Sequence, residues 1–137
     1  MSWSVHEVPV EYANKIWPNV EPLLVKSVKH SHGELSIEEV KVNVTRGIET
    51  LFVAMDEEGV IHGASTVSFY NRTDNRVAFV TNIAGRLLAD QDTFAQFCAL
   101  LQSKGATCIE GAVRDSLMRL WARLGAHKKT TIIQIPL

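Results

Sequence analysis

Long apolar runs are missing from this sequence: nothing in its 137 residues approaches the ~20 consecutive apolar residues that a bilayer-spanning helix needs. The opening residues, Met1-Ser-Trp-Ser-Val-His-Glu7, lack the basic start and apolar core of a secretory leader. A cytoplasmic location is the expectation. Cysteine is scarce. Cys98 and Cys108 are the only two, each in an apolar segment, and a reducing compartment would keep both as thiols that fill space as small hydrophobes. An excess of one charge is missing too. The 14 basic and 15 acidic residues are scattered, so neither a nucleic-acid surface nor a membrane surface is expected. No internal repeat, low-complexity tract or Gly/Ser/Pro-rich linker interrupts the chain. One domain over 1–137 is expected.

What is present is enough apolar residue for one core, 46% hydrophobic against 21% charged. Residues 3–10 alternate as a short strand ending at Pro9. Residues 11–30 read as helix, with Val20, Leu23, Leu24 and Val28 on one face; Pro18 and Pro22 predict a break and a restart near Asn19. His30-Ser-His-Gly33 reads as a loop. His30, His32 and Glu34 there could seat a metal or simply face water, and no further ligand accompanies them, so no metal is expected. Ser36-Ile-Glu-Glu39 spells a capping box, with Leu35 and Val40 spaced as a hydrophobic staple. The helix it opens turns Ile37, Val40 and Val44 inward and stops at Gly47.

Strands follow at 51–55, 60–70 and 76–84, separated by turn sequences at 56–59 and 71–75. Residues 85–92 read as a connection with a helix cap at Asp90 or Asp92. Phe94, Phe97, Cys98 and Leu101 form the inward stripe of the next helix, closed near Gly105. The last third reads as strand 107–113, helix 114–124 and strand 130–135. Leu117, Leu120, Trp121 and Leu124 share the apolar face of that helix, and Gly125 suits a left-handed cap. The predicted order is β-α-α-β-β-β-α-β-α-β, with 107–113 and 130–135 as antiparallel neighbours. Trp3, Trp17 and Trp121 read as core or interface anchors.

This order, the capping box after two helices, the three-strand meander and the ending Trp121-Ala-Arg-Leu-Gly-Ala126 together resemble the GNAT (GCN5-related N-acetyltransferase) family over essentially the whole chain. The segments 16–22, 32–39 and 51–54 look like GNAT-like proteins of bacteriophages and prophages; a phage-encoded chain would act in the host cytoplasm or the virion. The resemblance implies an α/β (α+β) fold with a twisted, mostly antiparallel sheet flanked by helices. It implies acetyl-CoA as cofactor and an amine, on a small molecule or a protein, as acceptor. A homodimer is a further candidate assembly.

In that family the pantetheine arm lies along the fourth strand, and a glycine-rich loop at a helix start holds the pyrophosphate. The matching residues here are Ile83, Ala84, Gly85, Arg86, Leu87, Leu88 and Ala89, with Ser116 and Trp121 of the last helix beside the cofactor. The family spacing Arg-x-x-Gly-x-Gly/Ala is absent, and Asp90 and Asp92 add negative charge. The implied binding of acetyl-CoA is weak or absent, and Gly85-Arg86 also reads as a plain turn out of the sheet. The family's frequent base, a Glu on the fourth strand, is missing from 77–83. Its frequent acid, a Tyr, is matched by Trp121, whose indole carries no useful acidity. Glu110 is the carboxylate in the expected cleft; it reads as the catalytic candidate or as an ion-pair partner of Arg114. Ser116 stands either beside the cofactor or as a helix cap. Two functions remain open: an N-acetyltransferase, or a non-catalytic binding or virion-associated module that has lost the cofactor loop.

Overall fold

The computed structural model describes residues 3–29 and 35–137; the loop expected at 30–33, with His30 and His32, and Glu34 after it lie outside the described residues. Strand β1 (Ser4–Val8) leads into α1 (Val10–Val28), α2 (Ile37–Thr45) and a meander of β2 (Thr50–Met55), β3 (Ile61–Asn71) and β4 (Arg76–Gly85). Two helices, α3 (Arg86–Ala89) and α4 (Gln91–Ser103), then β5 (Cys108–Glu110), a 3-10 turn at Asp115–Leu117 and α5 (Met118–Arg123) complete the order. The sheet runs β1-β2-β3-β4-β5. The first four strands pair antiparallel, and β5 lies parallel to β4.

Both faces of the sheet are covered. On one, Trp17, Val20 and Leu24 of α1 and Val40 and Val44 of α2 pack against Leu51, Val53 and Ala64. On the other, Leu87 of α3 and Phe97 and Leu101 of α4 pack against Phe52, Val67 and Val80. Local signals set the ends of the helices. Ser36 caps α2 by accepting from the Glu39 amide at 3.2 Å. At its other end Gly47, with φ of 76°, donates to the Val44 carbonyl while Ile48 donates to Asn43. That pair of bonds is a Schellman motif, and its left-handed residue favours glycine.

The structure departs from the sequence expectation in four places. The first is α1, which runs unbroken through Pro18 and Pro22. Both prolines are exposed, so water can satisfy the carbonyls they leave without donors, and the buried stripe Ala13, Trp17, Val20 and Leu24 holds the helix. The second is the 85–92 connection, which contains α3; Asp90 caps α4 by accepting from the Asp92 amide at 3.0 Å.

The third is the last helix. It is split into a 3-10 turn and six residues of α5, too short to bury a long stripe. Only Trp121 is buried, while Leu120 and Leu124 are half-buried and Leu117 is exposed. The fourth is the C-terminal sheet edge. β5 covers Cys108–Glu110 rather than 107–113, and 130–135 is not a strand. A β-branched run forms a strand only beside an edge long enough to pair with it, and β5 offers three residues. Ile132, Ile133 and Ile135 are 82%, 79% and 75% exposed.

Candidate active site

The sheet forks between β4 and β5. Their pairing is confined to Val77–Phe79 against Cys108–Glu110. Beyond it Gly111 lies against the Val80 carbonyl, where an added Cβ would stand 3.3 Å from the oxygen. From Asn82 to Gly85, β4 pairs with β3 alone among the described residues. The fork coincides with a break in register: Thr66 faces Asn82 and Val67 faces Val80. Thr81 is therefore an extra residue, a bulge that bends β4 and leaves its main chain outside the ladder.

A chain of polar side chains fills the bulge. Ser27 Oγ of α1 donates to Asn82 Oδ1 at 3.1 Å. Asn82 Nδ2 donates to Thr66 Oγ1 at 3.1 Å. Thr66 and Thr81 hydroxyls are 2.7 Å apart, and Thr81 Oγ1 donates to Glu49 Oε2 at 2.8 Å. Asn82 and Thr66 are buried, so each must find a partner. The Schellman motif after α2 delivers Glu49 to this point, at the start of β2.

Glu110 anchors a second polar group beside the fork. Arg72 grips its carboxylate with both terminal nitrogens, and Lys129 Nζ adds a third contact at 2.7 Å. Tyr70 Oη donates to Arg72's partner oxygen at 3.5 Å. The ion-pair partners are thus Arg72 and Lys129, in place of the Arg114 read from the sequence. The hydrogen bonds from Arg72 and then from Lys129 pull the Glu110 carboxyl down to about 2. A carboxylate that acidic is a poor proton acceptor at neutral pH. The linkage has a definite sign. The folded value lies below the ordinary 4.5, so the pairing stabilises the fold above that pH and is lost as pH falls toward about 2. In acid unfolding, Glu110→Gln is therefore expected to show a shallower loss of stability than the wild type across this window.

A cleft of about 1040 Å³ opens around β5, with Tyr70, Arg72, Phe79, Glu110, Trp121 and Lys129 in its walls. The structure divides the residues expected from the sequence. Glu110 and Trp121 line this cleft; Ile83, Ala84, Gly85, Arg86, Leu87, Ala89 and Ser116 do not. Trp121 is buried and meets Phe94 edge-on at 6.3 Å.

Several of the others have structural work. Gly85 takes φ of 73°, and a Cβ there would fall 2.2 Å from the His62 carbonyl. Leu87 is fully buried in the core under α4, and Ile83 packs beside that core. Arg86 is exposed and lies over the Trp3 ring at 4.8 Å. Ala84 pairs with Ala64. Ala89 is exposed at the end of α3; Leu88 belongs to the same helix. Ser116 is exposed in the 3-10 turn, and Leu117 rather than Ser116 stands at the N-cap of α5.

Sequence reasoning placed the cofactor along the strand that holds Thr81 but missed Glu49, Thr66 and Arg72. Thr81 and Asn82 carried a usable signal: two adjacent polar residues inside the apolar run 77–83 break strand alternation, as a bulge does. Nothing local marks Glu49 or Arg72, which reach their partners from elsewhere in the sequence.

No protein-family model matches the chain, and no curated protein matches it in sequence. Solved structures match it in shape. An aminoglycoside acetyltransferase from an uncultured soil metagenomic sample superposes with a TM-score of 0.67 at 15% identity, over 100% of this chain and 99% of its own. A second one, solved in complex with sisomicin, gives 0.68 at 12% identity over 98% and 96%. An acetyltransferase from Trypanosoma brucei gives 0.64 at 11% identity over 99% and 100%. The chain has the GNAT-like fold of these acetyltransferases, a five-stranded sheet flanked by helices.

Proposed function

We propose that the chain is an N-acetyltransferase that moves the acetyl group of acetyl-CoA to an amine. The observation that carries this reading is the fork with its bulge. Past Phe79, β4 presents an open edge from Thr81 to Gly85, and extended main chain of that kind accepts a linear amide-bearing ligand as it would a strand. The pantetheine arm would lie there, with the thioester at Thr81, whose main chain the bulge frees from the ladder. The pyrophosphate would sit at the Gly85–Ala89 turn near the exposed Arg86 guanidinium. Glu110 then serves as the anion that fixes Arg72 and Lys129 at the cleft, and Trp121 as the apolar wall.

The fold supports the reading, and Asp90 counts less against it than its charge alone suggests. Its carboxylate is engaged as a helix cap, so its charge has a structural use apart from the expected phosphate position. The amine acceptor, small or protein-borne, belongs to the same proposal. So does a phage or prophage source, on the segments 16–22, 32–39 and 51–54. A homodimer is also part of it, with the exposed Ile132, Ile133 and Ile135 as available apolar surface.

Calorimetric titration with acetyl-CoA tests the proposal. The wild type is expected to bind weakly. Arg86→Ala is expected to bind about tenfold more weakly at low salt, with a smaller difference at high salt, because the lost attraction is electrostatic. A wild type that takes up no acetyl-CoA would leave the non-catalytic binding module as the function.

A further inference from the structure

The Thr81 hydroxyl has two acceptors in reach, Glu49 Oε2 at 2.8 Å and the Thr66 carbonyl at 3.0 Å, and the shorter contact with the carboxylate sets the direction of the polar chain. Thr81 has a single hydroxyl proton, and when that proton goes to Glu49, Thr66 must donate to Thr81 and receive from Asn82, which in turn accepts from Ser27. Every proton in the relay then points at the Glu49 carboxylate, the terminal acceptor. Only Glu49 Oε2 is used; Oε1 has no hydrogen bond among the described residues. Glu49 and Thr81 are half-buried, so the pair keeps part of its surface in contact with solvent.

Strand alternation places this pair on the sheet face that carries Phe79 and Glu110, although neither Glu49 nor Thr81 lines the cleft itself. Ala78, Val80 and Ile109 belong to the core under α4, so Phe79 and Glu110 project to the opposite face. Thr81 and Asn82 reach that same face, since they join Ser27 of α1 through Thr66. The result is an aromatic floor, Phe79, with a carboxylate of unused valence at one end and the Arg72–Glu110–Lys129 group at the other. The charged groups on the helices that end here, Lys26 and Lys29 of α1 and Arg46 after α2, are exposed. None forms an ion pair with Glu49 among the described residues.

We propose that Glu49, held by Thr81 at the bulge, is the station of the acceptor amine: it binds the ammonium form and takes its proton. This rests on the acetyl-transfer reading and specifies the acceptor as a cationic primary or secondary amine. The step balances without any further reactant. Glu49 removes one N–H proton from the ammonium ion. The freed nitrogen lone pair attacks the thioester carbonyl carbon of acetyl-CoA, the C–N bond forms and the C–S bond breaks. The thiolate leaves with the C–S electron pair and is protonated, and the nitrogen gives up one more proton as the amide forms. One proton reaches solvent per turnover.

The experiment compares the wild type with Glu49→Gln, Glu49→Asp and, as an exposed control on α2, Glu38→Gln. Acetyl-CoA binding is measured by calorimetry. Turnover is followed as thiol release with a panel of free amines from n-butylamine to spermidine, across pH. A glutamine still accepts the Thr81 hydroxyl, so the fold and the bulge are kept while the base is removed. Glu49→Gln is expected to bind acetyl-CoA as the wild type does and to lose ~10²–10⁴-fold in kcat near neutral pH. That deficit should shrink as pH rises and the amine deprotonates by itself, and Glu49→Asp should recover part of the rate. A Glu49→Gln rate within about threefold of the wild type, with an unchanged pH profile, overturns the assignment while leaving acetyl transfer in place. Absence of acetyl-CoA binding by the wild type overturns the acetyl-transfer reading itself, and the assignment with it.

Discussion

Gly85→Val is expected to be among the most destabilising single changes in the sheet, with a loss above about 3 kcal/mol in urea denaturation. Two causes add. The backbone at Gly85 has φ of 73° and ψ of −141°, a region held almost exclusively by glycine, and a side chain there costs about 1–3 kcal/mol before any contact is counted. The new Cβ would also lie 2.2 Å from the His62 carbonyl and 3.0 Å from Gly63 Cα. Both are main-chain atoms of β3, so relief requires β3 and β4 to move apart where Gly63 pairs with Gly85. From the sequence, this glycine reads as one that lets a phosphate approach. Its geometry also answers to the neighbouring strand, so a Gly85→Val variant that fails to bind acetyl-CoA reports a damaged sheet. A loss below about 1 kcal/mol would show that the β3–β4 approach is looser than described.

Phe97→Ala is expected to cost about 3–5 kcal/mol, the range for emptying a buried aromatic site. Phe97 is fully buried in α4 and meets Phe52 edge-on with ring centroids 5.4 Å apart. It shares one core with the fully buried Leu87 and Leu101, so little room exists for the cavity to collapse. Leu124→Ala, on the half-buried end of α5, should cost less than about 2 kcal/mol, below the usual core range. Chemical denaturation of the two variants side by side checks the ordering. Equal losses would mean that α5 carries as much of the core as α4.

Much of the fold was legible because α1, α2, α4 and β2 to β4 are long enough to repeat their patterns. Ser36 and Gly47 announced both ends of α2, and the Phe94–Leu101 stripe announced the face of α4. The failures share one physical origin, tertiary context. Pro18 and Pro22 predict a break when read locally, yet both fall on the wet side of a helix pinned by Trp17 and Leu24. The run 130–135 has strand-forming residues but meets an edge of only three residues. The site was less legible than the fold. Glu110 was found as a cleft carboxylate, but its partner Arg72 arrives from 38 residues away in sequence. Glu49 lies 32 residues from Thr81, and only the antiparallel meander brings them together.

Amide hydrogen exchange with and without saturating CoA tests the central claim most directly, namely that the open edge of β4 receives the cofactor. The main chain of residues 81–85 lies beside the fork, where ligand hydrogen bonds should slow opening and exchange. The account predicts added protection concentrated at 81–89, with β1 and α2 unchanged. Protection confined to the cleft residues 107–113 and 127–132, with 81–89 exchanging as before, would contradict it.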